Sequence, residues 1–538
     1  MTEPTRTERY LERLCRGSFL RMWAHRSPYR LQRDSKKAAQ GKELCDLLVV
    51  FGNYVFLFSD KEVEWKDHGE EGVAWRRWYK RAVAASVKQL AGAERWLRKH
   101  PELVFADKEC KIPLPVTLPS PDSVRFHRIA VAHGSSAACR RQFGGGSGSL
   151  ILNTMAGAEL PFTVGREGPR EAFVHVFDEA TLGLILTNLD TLPEFRDYII
   201  AKERLLLDGT AIIATGEEDL LAIYLKSADP REPNKHGFGN TDGFDALVVT
   251  EGEWTDFENS PEMAARDDAN VDSYMWDGLI DRFAKHSIEG TQHFTSATGP
   301  QQTERTLRIL NAVPRTGRRA IADICYERIS TMRDRPYRIW GGRSPDDSEP
   351  AFTFLAVRRE DGEDYEEYRR RRLYMLTMCT ALSRIRNADV PVHVGIGQGP
   401  IDNDNSEDVV LIDDQAWSHE LEVEARSFQE EFGILRKVRE TRSTAHEYPR
   451  PKPTAGPRGR ERNQPCPCGS GRKWKKCCGR RPRGSLDPSA PCPEPVQRLL
   501  SERRGEVLQL DEVDPALAQL ALGDPRLAPP DGPGHPLR

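Results

Sequence analysis

Apolar and polar positions recur along this chain at two different periods, and the changes of period mark its elements. Between positions 8 and 23 the apolar residues Leu11, Leu14, Phe19 and Leu20 fall at helical spacing, which predicts an amphipathic helix. Positions 47–58 are then apolar except at Gly52-Asn53. That dipeptide accepts the positive φ of a two-residue turn, so the segment reads as a β-hairpin. Leu48, Val50, Val55 and Leu57 occupy one face, and Leu47, Val49, Phe51, Phe56 and Phe58 the other. A hairpin apolar on both faces belongs in the middle of a sheet covered on both sides. Positions 75–99 return to helical period through Trp75, Trp78, Tyr79, Ala82, Leu90, Ala93 and Leu97.

Farther on, 128–132 and 173–177 read as short strands and 144–149 as a glycine-rich loop. Thr191 reads as a helix cap, with Glu194 three residues later and Pro193 in the first turn. Asp178 and Asp190 read as helix starts, and His175 as a core histidine. Beyond about Lys235 the pattern is loop-rich, with a helix near 273–285. A helix is expected at 364–386, strands at 390–396 and 409–412, and a helix at 416–437. Gly395, Gly397 and Gly399 suggest a tight turn, and the acidic stretch 402–414 a solvated loop. No internal repeat appears.

At roughly 100–200 residues per domain, 538 residues make about three globular units. The expected fold class is multidomain, α/β and α+β: a restriction-endonuclease-like α/β domain over 1–234, an α+β domain over 235–443, a Pro/Gly/Arg-rich linker over 444–462, a small zinc module over 463–484, and a Pro-rich, mostly disordered tail over 485–538. The formal net charge of -4 gives no global case for nucleic-acid binding, although a local basic patch supplies one of its own. No apolar run is long enough to span a bilayer, and positions 1–16 lack a signal-peptide core. The expected location is cytoplasmic. Seven of the eleven cysteines are scattered singly and read as buried thiols.

The other four are clustered. Cys466-Pro467-Cys468-Gly469-Ser470-Gly471 is followed by Arg472-Lys473-Trp474-Lys475-Lys476 and then Cys477-Cys478. Two close thiols, a Gly-Ser-Gly turn and two more thiols can form a tetrahedral cage. Four thiolates close the shell of a structural Zn2+, and the neighbouring Arg472, Lys473, Lys475 and Lys476 offset the excess negative charge. A disulfide or a redox cysteine pair is the other reading of these residues. The pattern resembles SEC-C, the C-terminal zinc motif of SecA-type translocase ATPases, over about twenty residues. That resemblance implies zinc ligation by Cys466, Cys468, Cys477 and Cys478, and a small module that docks a chaperone, a ribosome or another protein. The chain has no Gly-x-x-x-x-Gly-Lys-Ser/Thr sequence, so it is not a translocase motor. From Lys452 to Arg483 there are eleven Lys or Arg against one acid, Glu461. A solvated charge run and a contact with nucleic acid or ribosome both account for that.

The second constellation surrounds the hairpin. With Gly52-Asn53 as the turn, Asp46 falls opposite Ser59, and Asp46, Ser59 and Lys61 share one face. Asp60 points to the opposite face unless a bulge re-aims it. The arrangement resembles the PD-(D/E)xK nuclease superfamily. The resemblance implies Asp46 as the acid that holds Mg2+ or Mn2+, Lys61 as the lysine that orients the attacking water, and Glu43 as a helix acid. Ser59 stands where the family carries an acid. It also implies phosphate contacts from Arg76, Arg77, Lys80, Arg81 and Lys88 on the following helix. A buried Asp46–Lys61 ion pair is the structural alternative. Two functions are thus expected: a divalent-metal-dependent nuclease of a restriction or phage-defence type, or a non-enzymatic adaptor whose zinc module docks a chaperone, ribosome or nucleic acid.

Overall fold

The computed structural model describes residues 6–31, 41–67, 69–169, 172–292, 300–330, 332, 335–343, 350–399, 406–449 and 505–512. The chain starts with α1 (Arg6–Trp23), β1 (Ala24–Arg26), β2 (Tyr29–Leu31) and β3 (Gly41–Glu43), then the hairpin β4 (Leu47–Phe51) and β5 (Tyr54–Glu62). A long helical stretch follows: α2 (Glu71–Tyr79), a π-helical turn at Lys80–Ala84, and α3 (Ala85–Leu97). Next come β6 (Val104–Phe105), β7 (Arg125–His133), α4 (Ser136–Phe143), β8 (Ile151–Asn153), β9 (Thr163–Val164), β10 (Val174–Asp178), α5 (Thr181–Asn188) and α6 (Leu192–Asp208).

The main sheet has the strand order β1-β4-β5-β7-β10. The hairpin lies inside it, as its two apolar faces require. β4 and β5 pair antiparallel with Phe51 opposite Tyr54, and Gly52 takes the positive φ of 57°. β7 and β10 then continue the sheet parallel to β5. Helices cover both sides. Phe19 of α1 and Phe195 of α6 pack on Phe56 and Phe58, and the inner faces of α2 and α3 bury Trp75, Trp78, Ala82, Val83 and Leu90 against the other side.

A second sheet follows. β11 (Ala211–Ala214), α7 (Glu217–Lys226), β12 (Ala228–Asp229) and β13 (Glu232–His236) lead to β14 (Ala246–Val249), which pairs with β11 in a second sheet, β14-β11-β8-β9. The helix expected near 273–285 is α10 (Tyr274–Glu289), and the stretch around it, expected to be loop-rich, is helical too: α8 (Glu253–Glu258), α9 (Pro261–Asn270), α11 (Pro300–Asn311) and α12 (Arg315–Ser330). α12 buries charge beside its apolar residues Ile321, Ala322, Ile324 and Cys325. The Arg315 guanidinium, 1% exposed, donates to Asp190 at 2.9 Å and Asp277 at 2.6 Å. Arg318 reaches Asp277 and Asn311, and Arg319 reaches Asn270 and the Glu447 carbonyl. Asp190 is therefore a buried partner of Arg315 rather than a helix start. Thr191 alone caps α6, accepting from the Glu194 N–H at 3.4 Å.

The remaining elements are β15 (Tyr337–Arg343), β16 (Ala351–Val357), α13 (Tyr365–Arg386), β17 (His393–Gln398), β18 (Glu407–Ile412), α14 (His419–Phe432), β19 (Val438–Ala445) and β20 (Gly505–Glu512). They form a six-stranded sheet, β18-β17-β16-β15-β20-β19, so part of the expected disordered tail is a strand. Gly395 and Gly397 lie inside β17 and not in a turn. A Cβ on Gly395 would stand 2.2 Å from Thr380 Oγ1, because α13 packs directly on the strand there. Asp408 is not solvated either; it is buried against Arg369 and Arg372 of α13, each at 2.7 Å. One apolar cluster runs from Leu11 to Tyr448, and a smaller one lies between α13, α14 and the last sheet. The protein is thus a mixed α/β multidomain fold with several sheets. Among the described residues no helix is long and apolar enough to cross a membrane.

Candidate functional site

Asp46 immediately precedes β4, where its backbone N–H donates to the Phe58 carbonyl at 3.1 Å. Its carboxylate is 9% exposed and turns onto the neighbouring strand. Oδ2 accepts the Asp60 N–H at 2.6 Å and meets Lys61 Nζ at 3.4 Å. Lys61 is 31% exposed. The acid and the lysine expected from the sequence therefore do meet, as an ion pair anchored to backbone.

The other two expected residues do not join them. Ser59 is fully buried on the helix side, 3.1 Å from Ser86 Oγ and 3.2 Å from Gln89 Oε1 of α3. Glu43 lies on a strand, not a helix. It is exposed on β3 in a separate three-stranded sheet, β3-β2-β6. Among the described residues, no three His, Cys, Asp or Glu side chains converge to hold a metal ion. Mg2+ takes one or two carboxylates and keeps several waters. In Asp46 one oxygen, Oδ2, is engaged by a backbone N–H and an ammonium.

Asp60 points to the opposite face from Lys61. The register Ser59–Ala130, Asp60–Val131, Lys61–Ala132 runs without a bulge. There Asp60 Oδ1 lies 2.7 Å from His133 Nε2, at the end of β7. Glu179, just after β10, accepts the Gly134 N–H and, at 3.3 Å, that of Ser136. Its carboxylate lies 4.0 Å from His133 Nδ1. Burial alone would lower the His133 pKa, but the Asp60 hydrogen bond and the charges of Asp60, Glu179 and Glu62 outweigh it, and the pKa rises. The sequence reading passed over this acid–histidine–acid arrangement. Its only trace there is a polar His133 closing an apolar strand just before Gly134-Ser135-Ser136. The arrangement fixes the carboxyl ends of three parallel strands and caps α4.

The histidine expected to be structural is so. His175 is fully buried and shares the Glu203 carboxylate with His127, at 3.1 and 3.0 Å. Cys15, Cys45, Cys110, Cys139, Cys325 and Cys379 are free thiols. Cys466, Cys468, Cys477 and Cys478 lie outside the described residues.

Comparison with known proteins bears on that last segment. The SEC-C motif model matches residues 462–480. The chain is also 57% identical over 30 residues to the protein translocase subunit SecA of Geobacter metallireducens. That match covers 6% of this chain and 3% of the SecA sequence. No solved structure matches.

Proposed function

We propose that the chain is a cytoplasmic docking protein: a body with a nuclease-like core that does not cut, bearing a SEC-C segment that holds one structural zinc and captures a partner. The observation that carries the reading is the closure of Asp46 on the Asp60 N–H and Lys61. The place of the hairpin in the middle of the sheet supports a nuclease-like origin. The loss of converging acids argues against retained metal-dependent hydrolysis, because such chemistry needs a divalent ion held at the attacked phosphate. The SEC-C match supports zinc ligation by Cys466, Cys468, Cys477 and Cys478, and four thiolates leave no open position for catalysis. The surrounding cations suit an acidic partner, whether nucleic acid, ribosome or an acidic chaperone.

Two measurements on the full chain test this. Elemental analysis should find about one zinc per chain. Cys477→Ser should lose it while the body keeps its unfolding midpoint. Incubation with Mg2+ or Mn2+ and DNA or RNA should give no cleavage above the level of Asp46→Ala. Cleavage that requires the metal and disappears in Asp46→Ala would overturn the docking reading in favour of a restriction or phage-defence nuclease. Absence of zinc from reduced protein would remove the SEC-C half.

A further inference from the structure

The space between the last sheet and its helices is not completely filled. A cavity of about 290 Å³ lies where β15 and β16, the C-terminal end of α13, the end of α14 and the start of β19 meet. Its floor is buried and apolar, with Ile339 and Leu382 each 5% exposed. Ile385, Leu435 and Val438 continue the apolar wall and are half-buried. At β15 the wall is bare backbone. Gly341 lines the cavity, and a Cβ there would stand 2.7 Å from the Phe352 carbonyl oxygen. Polar groups are few. Thr353 is buried, and among the described residues its hydroxyl makes no hydrogen bond. None of the residues that line the cavity is acidic.

Arg386 and Arg436 also line it and are exposed, so they mark its open side. The end of α14 holds Arg436 in place: Nε and Nη2 donate to the Gln429 and Glu430 carbonyls at 3.2 and 2.6 Å. Carbonyl oxygens orient a guanidinium without neutralising it, and Nη1 makes no hydrogen bond among the described residues. The loop that delivers Arg436 turns through two left-handed residues, Gly433 at φ 68° and Leu435 at φ 57°. A positive φ is unfavourable for a bulky side chain, and strain of this kind gathers at ligand clamps. Polarity therefore runs in one direction, from an apolar floor to a cationic rim. At about 30 Å³ per water, the cavity has room for about ten waters, or for an organic molecule of about ten non-hydrogen atoms. Ligand sites combine apolar walls with a few convergent polar groups in this way. Acetate would leave the floor unfilled, and a neutral hydrocarbon would leave the guanidinium without an anion.

We propose that this cavity binds a small organic anion with an apolar body, a medium-length carboxylate, with its head against Arg436 and its chain against Ile339 and Leu382. The site is separate from the hairpin and from the SEC-C segment, so the assignment goes beyond the docking reading. The test is calorimetric titration of the full chain with octanoate, with 1-octanol and acetate as controls that lack the head or the body. Octanoate should bind saturably at one site and raise the melting temperature, and each control should bind at least tenfold more weakly. From butanoate upward, affinity should rise about fourfold per methylene and stop rising once the cavity is full. Arg436→Gln should weaken octanoate at least tenfold without changing 1-octanol, and Arg436→Lys should keep part of the affinity. Val438→Trp, which fills the cavity from its wall, should abolish binding at an unchanged melting temperature. The proposal is overturned if octanoate does not bind, if 1-octanol binds as tightly, if binding survives Val438→Trp, or if affinity keeps rising with chain length, which marks adsorption to exposed apolar surface. Glu512 stands opposite Val438 in the register of β19 and β20. Octanoate binding that appears only in Glu512→Gln would make the chain's own carboxylate the occupant, and this too would overturn it.

Discussion

Lys61 Nζ stands 3.4 Å from the Asp46 oxygen that already holds the Asp60 N–H. A carboxylate tied to its own sheet in this way is part of the fold. Asp46→Ala should therefore destabilise by about 2–3 kcal/mol, because it leaves a buried N–H without an acceptor. Lys61→Ala should cost only about 1 kcal/mol, since nearly a third of that side chain faces water, which screens the pair. Denaturant unfolding of the two variants checks the order. Equal losses, or a larger one for lysine, would contradict it.

Arg315 joins α12 to Asp190 and Asp277 with 1% of its side chain exposed. Arg315→Ala should cost about 3–5 kcal/mol by leaving buried carboxylates unpaired. Arg315→Lys should restore little, because an ammonium cannot span both acids as the planar fork does. Equilibrium unfolding measures both variants.

Gly395→Ala places a methyl 2.2 Å from Thr380 Oγ1 and 3.1 Å from the Leu376 side chain. Separating β17 from α13 should cost about 1–3 kcal/mol. Combining it with Thr380→Ala should recover part of the loss, and a double variant no better than the sum of the two singles would refute the steric account.

His393 is fully buried on β17, with Nε2 3.2 Å from the Val390 carbonyl. Burial lowers its pKa to about 4. The folded value thus lies below the ordinary value of 6.5. The neutral ring's contribution is complete above that pH and is lost as pH falls toward 4, a span worth about 3 kcal/mol. The stability of His393→Gln should depend less on pH in that window. An unchanged slope would show that another group titrates there.

How far the chain could be read in advance depended on what each element buries. The hairpin was legible because Gly52-Asn53 fixed its turn and every flanking residue was apolar, and the register followed, with Asp46 reaching Lys61. Thr191 with Pro193 and Glu194 located α6 for a similar local reason. α12 escaped because its first turns face inward with Arg315, Arg318 and Arg319, whose partners come from distant helices and the segment after β19, and only Ile321, Ala322, Ile324 and Cys325 add an apolar stripe. Gly395 looked like a turn since a close helix leaves the same mark in sequence as a positive φ. The role of Asp60 was hidden because His133 lies 73 positions away. Ser59 and Glu43 lie apart from Asp46 and Lys61 for a different reason: alternation places a side chain on a face but does not say what covers it.

Tyr448 is the last buried residue described before the cysteine cluster, with its hydroxyl on the Leu225 carbonyl. Eighteen peptide links separate it from Cys466, so covalent geometry limits that cysteine to a radius of about 60 Å. One molecule confined to such a sphere corresponds to a local concentration on the order of millimolar. A partner already held on the body within that radius would meet the zinc segment at that concentration. Contacts too weak to detect on an isolated SEC-C peptide could then be nearly saturated in the intact chain. Binding measured on fragments should therefore fall well short of that of the whole protein.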